Sequence, residues 1–246
     1  MGLEKSKLER VQASWSKFDL TIKQIILGGQ VSRILEVGAG RNPYLDSQFV
    51  EDNNLDYTVF DIDTAELALS RKQTKSYAID LSSEDCKLNQ FIDSFDCIFT
   101  HMVLEHVKNP SVFHKNCLKI LKEDGQVVHF FATKYSVHTI LNQLLPERLT
   151  DWLVFKFQTR KKDTHDKYKA YYRWCFGPTK SNIARLEGAG YKILDYKGFL
   201  GHTYLNKFKT LYAIEQRWNK LLLLINSPLM CSNAFFVAKK KDSKTN

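Results

Sequence analysis

Two carboxylates lie on either side of a glycine-containing turn, and residues of these types at this spacing can hold a nucleotide. An apolar run from Arg33 leads to Glu36, and Gly38-Ala39-Gly40 follows directly. Glycines in such a turn let the backbone approach a ligand with no Cβ in the way. Asp61 comes 21 residues after Gly40, a spacing at which a carboxylate can accept hydrogen bonds from ribose hydroxyls. The pattern predicts a cofactor site, and spacing alone also permits a nicotinamide cofactor.

The residues after the turn argue against a dinucleotide. A dehydrogenase fingerprint would place a third glycine where this chain has Pro43. Pro43-Tyr44-Leu45 also offers no open helix N-terminus of the kind that holds a pyrophosphate. The turn is therefore not typical of a dehydrogenase.

Alternating strands and helices must position these residues. Helical spacing of apolar residues marks residues 3–28, and Gly28-Gly29 ends that helix. Beyond it, short apolar runs alternate with helical segments, which predicts right-handed crossovers and an α/β fold with a doubly wound parallel sheet. After the strand that contains Glu36, the predicted strands are Tyr57–Phe60, Tyr77–Ile79, Asp96–Phe99, Val127–Ala132, Tyr191–Gly198 and Ala234–Ala238, and the predicted helices are Ala65–Arg71, Val112–Leu121, Lys180–Glu187 and Asn206–Ile225.

Further segments extend the pattern in order along the chain. Asp80-Leu81 follows the third strand, Phe95-Asp96-Cys97-Ile98 begins the fourth, and Leu104-Glu105-His106-Val107 lies behind it. Leu121-Lys122-Glu123-Asp124-Gly125 precedes the fifth strand. Together with the glycine loop, these motifs resemble the class I S-adenosylmethionine-dependent methyltransferases of the type 11/12 group, over roughly residues 30–135. The resemblance implies a Rossmann-like, seven-stranded, mostly parallel sheet with helices on both faces and an antiparallel last strand.

The resemblance implies that the cofactor is S-adenosylmethionine, which leaves as S-adenosylhomocysteine. Glu36 and the backbone of Gly38-Ala39-Gly40 would hold its amino acid end, and Asp61 would bind the ribose hydroxyls. Asn42 stands where the family has a third loop glycine. Asparagine tolerates a positive φ better than most residues, so the turn can survive this departure.

The same resemblance implies how the rest of the cofactor is held. Asp80 would reach the adenine amine, and Leu81 and Ile62 would cover the two faces of the ring. His101, just after the fourth strand, would line the methionine part and face the acceptor.

A single methyltransferase domain is expected over residues 1–246, because no linker interrupts the chain. We divide it into an N-terminal helix (1–29), a cofactor-binding core (30–135), an acceptor-side insertion or lid (136–180) and the C-terminal half of the sheet (181–240), with an inserted helix at 206–225. Within the insertion, aromatic and basic residues from Tyr168 to Phe176 offer stacking faces and anion contacts.

The residues at the end of the fourth strand argue against some classes of methyl acceptor. Family members that methylate the amino groups of nucleobases carry Asn or Asp, two prolines and an aromatic residue there, whereas this chain has Thr100-His101-Met102-Val103. No cysteine follows strand four or five in a place suited to a covalent 5-methylcytosine mechanism. An oxygen or nitrogen of a small-molecule, glycan or lipid-linked acceptor remains.

A general base is needed only if the acceptor is a weak nucleophile. The ends of strands four and five and the loop that follows face the cofactor in this fold. The candidate bases at these positions are His101, His129, Tyr135 and His138.

Charge is unevenly distributed along the chain. Residues 1–145 carry 16 Lys+Arg and 19 Asp+Glu, whereas residues 146–246 carry 20 and 8. A cationic second half suggests an anionic acceptor, and it leaves open an RNA-modifying methyltransferase or an RNA-binding protein. The apolar stripe of the helix at 206–225 is expected to pack on the sheet, with peripheral contact to an anionic membrane as the alternative. A non-catalytic cofactor-binding scaffold is a further alternative.

Cysteine usage and hydropathy bear on location. Five scattered cysteines with no Cys-x-x-Cys pair favour a reducing compartment and argue against a zinc site, so no metal is expected. The first residues lack the apolar core of a secretory signal, and the longest apolar run, Leu221–Ile225, is too short to cross a bilayer. We therefore expect a cytoplasmic protein, or one peripheral to the inner face of the membrane.

Overall fold

The computed structural model describes residues 7–10, 13–29, 31–70, 74–136, 139–140, 168–201 and 209–241. The strands are β1 (Lys7–Arg10), β2 (Arg33–Val37), β3 (Asp56–Asp61), β4 (Lys75–Ala78), β5 (Phe95–His101), β6 (Leu121–Ala132), β7 (Tyr191–Leu200) and β8 (Asn233–Lys240). The helices are α1 (Ser14–Gly28), α2 (Ser47–Asp52), α3 (Thr64–Ala68), α4 (Pro110–Ile120), α5 (Lys180–Gly188) and α6 (Lys209–Leu224).

The strands form one sheet in the order β1-β7-β8-β6-β5-β2-β3-β4. All neighbours pair in parallel except β8, which is antiparallel to both β6 and β7. The expected doubly wound, mostly parallel sheet with an antiparallel last strand is confirmed. Because parallel strands end at the same edge, the loops after β2, β3 and β5 meet there.

The sheet has eight strands rather than the seven expected. The additional strand is β1, which lies where the helical spacing predicted a helix over residues 3–28. β1 runs parallel to β7, with Lys7 opposite Lys197 and Arg10 opposite Leu200. A partner almost the whole chain away supplies its hydrogen bonds, and α1 begins only at Ser14.

Two hydrophobic layers bury the sheet on both faces. In β6, Val127 and Phe131 belong to the layer with Phe113, while Val128 and Phe130 belong to the layer with Phe18 of α1. This alternation explains why the strand reads as a continuous apolar run, as expected of a central strand covered on both sides. The sheet is thereby held rigidly, and its strand ends are fixed relative to one another.

The segment 121–125, which was expected to precede the fifth strand, lies inside that strand. β6 runs without interruption from Leu121, and its pairing with β5 shifts from Phe95 opposite Leu121 to Cys97 opposite Gln126. The extra residues form a bulge rather than a separate turn.

Helix α6 packs on the sheet along only part of its apolar surface. Leu222 is 2% exposed, but Trp218 is 39% and Ile225 just beyond the helix is 61% exposed. The expected packing thus holds for Leu222, with Leu223 partly buried against the same core, whereas Trp218 and Ile225 are exposed. No described helix is both long and apolar enough to span a membrane.

Candidate active site

The turn after β2 requires glycine at two positions. Gly38 has φ +80° and Gly40 has φ +53°, both in the left-handed region. A Cβ on Gly38 would lie 2.4 Å from Cγ2 of Val103, which follows β5. Any larger residue at Gly38 would therefore collide with the end of the neighbouring strand.

Asp61 ties the end of β3 to that turn. Its Oδ2 accepts a hydrogen bond from the Gly40 N–H at 2.7 Å, and its Oδ1 accepts one from the Asp63 N–H at 2.9 Å. Each carboxylate oxygen can accept more than one bond, so both remain available to a ligand hydroxyl. Arg41 supports the turn from outside, because its guanidinium forms a bidentate pair with Glu66.

A cavity of about 390 Å³ opens beside this turn, at the carboxyl ends of the strands. The predicted residues that line it are Gly38, Asp61, Ile62, Asp80 and Leu81. Ile62 is 61% exposed and Leu81 is 2% exposed, so an apolar side chain stands at the mouth and another at the wall. The cavity combines a bare backbone turn, carboxylates and apolar surfaces, which are the groups that a nucleoside with an amino acid end requires.

Glu36 does not line the cavity, although the resemblance implied that it would hold the amino acid end of the cofactor. It is 3% exposed and accepts hydrogen bonds from the Tyr44 N–H at 2.8 Å and from the Tyr57 hydroxyl. Burial, followed by the charge of Glu36, raises the pKa of Tyr57 well above its ordinary value. In this arrangement Glu36 fixes the turn at Pro43-Tyr44.

His101 lies in an aromatic cluster between β5 and α1. Its ring is 4.3 Å from that of Trp15, 5.3 Å from Phe18 and 5.4 Å from Phe130, centroid to centroid. Burial lowers the pKa of His101 to about 4, so the ring is neutral at pH 7. Its Nε2 is buried with no hydrogen-bond partner among the described residues.

The other candidate bases differ in access. His129 is 0% exposed, its Nδ1 lies 3.0 Å from Oγ1 of Thr100, and it packs inside the sheet, so an acceptor at the strand ends cannot reach it. Tyr135 is 37% exposed and its ring contacts that of Phe176 at 5.6 Å. His138 lies outside the described residues.

The segment 168–176 covers one side of the cavity. The Tyr168 hydroxyl donates to Oδ2 of Asp63 at 2.8 Å, and the carbonyl of Glu105 accepts from Tyr171 N at 2.7 Å and Tyr172 N at 3.0 Å. Tyr168, Lys169 and Tyr171 line the cavity. The segment belongs to the expected insertion at 136–180, whose role on the acceptor side stays a prediction.

Other lining residues were not singled out by sequence. Met102, which has φ +57°, and Val103 come directly after β5, and Phe113 lies in the first turn of α4. The position of Met102 and Val103 after a predicted strand could have indicated them. Phe113 carries no such signal, because an apolar residue early in a helix is most often part of the core.

Part of the chain is similar to a known protein family. Residues 35–129 match the model of a family described as a methyltransferase domain. A search of the curated proteins finds no match.

Solved structures share the fold across nearly the whole chain. An S-adenosylmethionine-dependent methyltransferase from Archaeoglobus fulgidus aligns with TM-score 0.56 and 14% identity, over 93% of this chain and 94% of that one. One from Mesorhizobium loti aligns with TM-score 0.54 and 16% identity, over 93% and 98%. A Haemonchus contortus phosphoethanolamine N-methyltransferase in complex with S-adenosylmethionine aligns with TM-score 0.55 and 16% identity, over 93% and 53%.

The family match covers β2 to β6, which carry the glycine turn and most of the cavity wall. The remaining strands complete a sheet of the same architecture as those structures. Residues 35–129 thus match a methyltransferase-domain family, and the sheet that contains them has the fold of S-adenosylmethionine-dependent methyltransferases.

Proposed function

We propose that this enzyme methylates an oxygen or nitrogen of a small-molecule, glycan or lipid-linked acceptor that carries an anionic group. The cavity at the strand ends, with Asp61 and the Gly38 turn on one wall, is the observation that carries the proposal. S-adenosylmethionine supplies a methyl group already activated by its sulfonium, so positioning of the acceptor provides much of the catalysis.

Different residues at the cavity would bind different parts of S-adenosylmethionine. Gly38 lines the cavity, and the turn would hold the amino acid end through the Ala39 N–H, because the Gly38 N–H donates to the Phe60 carbonyl and the Gly40 N–H to Asp61. Asp61 offers acceptors to the ribose hydroxyls. Asp80 is exposed at the cavity and is suited to the adenine amine, with Ile62 and Leu81 as the apolar faces. Glu36 would act indirectly, by holding the turn through the Tyr44 N–H.

Within the described residues, His101 and Tyr135 are the candidate bases for an acceptor that needs one, and His138 stays a candidate outside them. His101 is neutral at pH 7 and has a free Nε2, as a proton acceptor requires. Tyr135 is exposed just beyond β6. Replacing each by alanine or phenylalanine should lower turnover at saturating cofactor, and unchanged rates in both variants would remove the general-base role.

The proposed acceptor class is based on the positive charge of residues 146–246 and on the residues that follow β5. Residues 146–246 carry 20 Lys+Arg against 8 Asp+Glu, which favours an anionic acceptor. The sequence after β5 does not have the motif used to methylate nucleobase amines.

Asp61→Asn tests the cofactor site. The change keeps the side-chain volume but removes the charge that favours hydroxyl donors, so the Kd for S-adenosylmethionine should rise about tenfold or more. Asp195→Asn is the matched control, because Asp195 pairs with Lys197 away from the cavity. Calorimetry should show unchanged affinity in the control, and equal affinity in both variants would contradict the site.

A screen with cofactor labelled in its methyl group then tests the acceptor class. Phosphorylated and neutral acceptors of the same skeleton should be compared, and label should pass to the phosphorylated member. Cofactor binding without transfer to any acceptor class would favour a non-catalytic scaffold, and label in RNA would favour the RNA-modifying alternative.

A lipid-linked acceptor would require contact with a bilayer, and helix α6 offers a surface for it. Ile214, Trp218, Leu221 and Ile225 recur at helical spacing and are 60%, 39%, 44% and 61% exposed. Exposed Arg217 and Lys220 flank this stripe, so the expected partner is an anionic bilayer. Co-sedimentation with anionic vesicles should be lost in Trp218→Ser/Ile225→Ser, and no binding by the unmodified protein would eliminate the membrane contact.

A further inference from the structure

A second hollow, of about 380 Å³, adjoins the cofactor cavity. Lys108 and Tyr171 line the cavity, while their neighbours Asn109 and Tyr172 line the hollow. The rest of its wall comes from the amino end of α4, the loop after β6, the 168–176 segment and α5. A ligand in this hollow would thus lie next to the site where the methyl donor is bound.

Two guanidinium groups in the hollow are oriented by neutral partners. Nη1 of Arg173 donates to the Lys108 carbonyl at 2.8 Å. Nη1 of Arg185 donates to Oδ1 of Asn182 at 3.3 Å, and its guanidinium lies 5.2 Å from the Phe176 ring centroid and 5.8 Å from that of Trp174. These contacts hold both groups in place without neutralising their charge, and most of their N–H donors remain available.

Further positive charge converges on the same place. Lys134, just beyond β6, lines the hollow, as does Ser111 in the first turn of α4. The side chain of Asn109 accepts from Val112 N, so it leaves the Ser111 N–H unused. No acidic side chain lies among the described residues that line the hollow, and none of its three cations forms an ion pair within the described part of the chain.

We propose that this hollow binds the phosphate group of the methyl acceptor, held by Arg173, Arg185 and Lys134. This assignment rests on the proposed function and names the group that the enzyme would recognise. Two guanidiniums, each with a neutral hydrogen-bond partner, and an ammonium match a dianionic phosphate in both charge and number of donors. The Trp174 and Phe176 rings beside them provide an apolar wall for the carbon skeleton of the acceptor.

Binding of inorganic phosphate to the full chain tests the assignment, by calorimetry at constant ionic strength. Phosphate should bind saturably to the unmodified protein, and acetate should bind at least about tenfold more weakly, because one carboxylate uses fewer of the donors. Arg173→Gln/Arg185→Gln should weaken phosphate binding by about tenfold or more. Lys87→Gln removes one exposed charge outside the hollow and should leave the affinity unchanged.

Loss of folding is separated from loss of binding by two further measurements. Among the described residues the Lys134 ammonium contacts only the Tyr135 ring, so Lys134→Gln should weaken phosphate binding with no change in thermal stability. The affinity for S-adenosylmethionine should persist in all these variants, because none of the residues lines the cofactor cavity. No saturable phosphate binding, equal binding of acetate, or equal binding in the double variant would overturn the assignment, whereas failure to bind the cofactor would instead refute the proposed function.

Discussion

Gly38 couples the backbone conformation of the cofactor turn to the packing of the next strand end. Its φ of +80° is unfavourable for any residue with a Cβ, and that Cβ would lie 2.4 Å from Val103. Gly38→Ala should therefore lower the free energy of unfolding by about 1–3 kcal/mol and weaken cofactor binding. Gly188→Ala is the control, since a Cβ there meets nothing within 4 Å. Thermal unfolding and calorimetry check both variants, and equal stability of the two would contradict the constraint.

Glu105 is a carboxyl group with little to stabilise its charge. It is fully buried beside the loop that holds Tyr171, and its Oε2 has no partner among the described residues. Desolvation raises the pKa of Glu105 from 4.5 to about 8, against the opposing effect of two backbone N–H groups. The native state thus holds a proton near pH 7 that the unfolded chain releases. Its contribution to stability is complete below pH 4.5 and is lost as the pH rises through about 8.

Glu105→Gln removes this titration while keeping the shape of the side chain. The variant should gain stability relative to the unmodified protein as the pH rises from 5 to 8, at up to about 1.4 kcal/mol per pH unit. Denaturant unfolding at several pH values measures the difference. Glu123→Gln, at an exposed carboxylate, should show no such trend, and a parallel pH dependence in Glu105→Gln and the parent would refute the buried ionisation.

An element could be predicted from sequence where the types of its own residues indicate how deeply it is buried. The run Val127–Ala132 is buried on both faces, so its apolar composition reports its position directly. Gly38 and Gly40 likewise indicate a turn with positive φ, a conformation that glycine adopts readily. The sheet and the glycine turn could be derived for this reason.

Elements that depend on distant partners could not be derived. β1 has only Leu8 as an apolar residue, and its pairing with β7 supplies what local sequence does not. Glu36 illustrates the same limit at the site, because the Tyr57 hydroxyl on the adjacent strand binds it and sequence alone left it free to contact a ligand. The hydrogen bonds from the 168–176 segment to Glu105 also join parts of the chain far apart in sequence.

The Tyr168 hydroxyl makes one of the contacts that attach the 168–176 segment to the rest of the cavity wall. This hydroxyl donates to Asp63, and burial followed by Asp63 raises the pKa of Tyr168 to about 12, so it remains a donor at neutral pH. Tyr168→Phe should speed cofactor release up to about fivefold, since a half-exposed hydrogen bond contributes about 1 kcal/mol or less. Stopped-flow dissociation measures this rate. Tyr77→Phe, on a ring that packs on Phe91 outside the cavity, should leave it unchanged.

Aromatic and histidine rings from α4, β6, β7 and the 168–176 segment pack against one another. His114 of α4 lies 5.6 Å from His129 of β6 and 5.7 Å from Trp174 of the 168–176 segment, ring to ring. The Tyr191 hydroxyl on β7 lies 3.2 Å from Nδ1 of His114. Protonation of either histidine would place an unpaired charge where the cofactor-binding strands meet the C-terminal strands.

Acid should therefore unfold the whole protein through these rings. Burial lowers the pKa of His114 from 6.5 to about 3 and that of His129 well below its ordinary value. Both are neutral in the native state, so their contribution to stability is full above pH 6.5 and is lost as the pH falls toward 3. Each ring should lower the free energy of unfolding by up to about 1.4 kcal/mol per pH unit in this range.

The measurement is cleanest in a Glu105→Gln background, because protonation of Glu105 acts in the opposite direction between pH 8 and 4.5. Adding His114→Phe keeps an aromatic ring but removes one titrating group, so it should cost stability at pH 7 and reduce the slope between pH 6.5 and 4. Denaturant unfolding followed by tryptophan fluorescence gives both quantities. A flat profile in the Glu105→Gln protein would mean that these rings are solvated before the chain unfolds. An unchanged slope after His114→Phe would assign acid sensitivity to other groups.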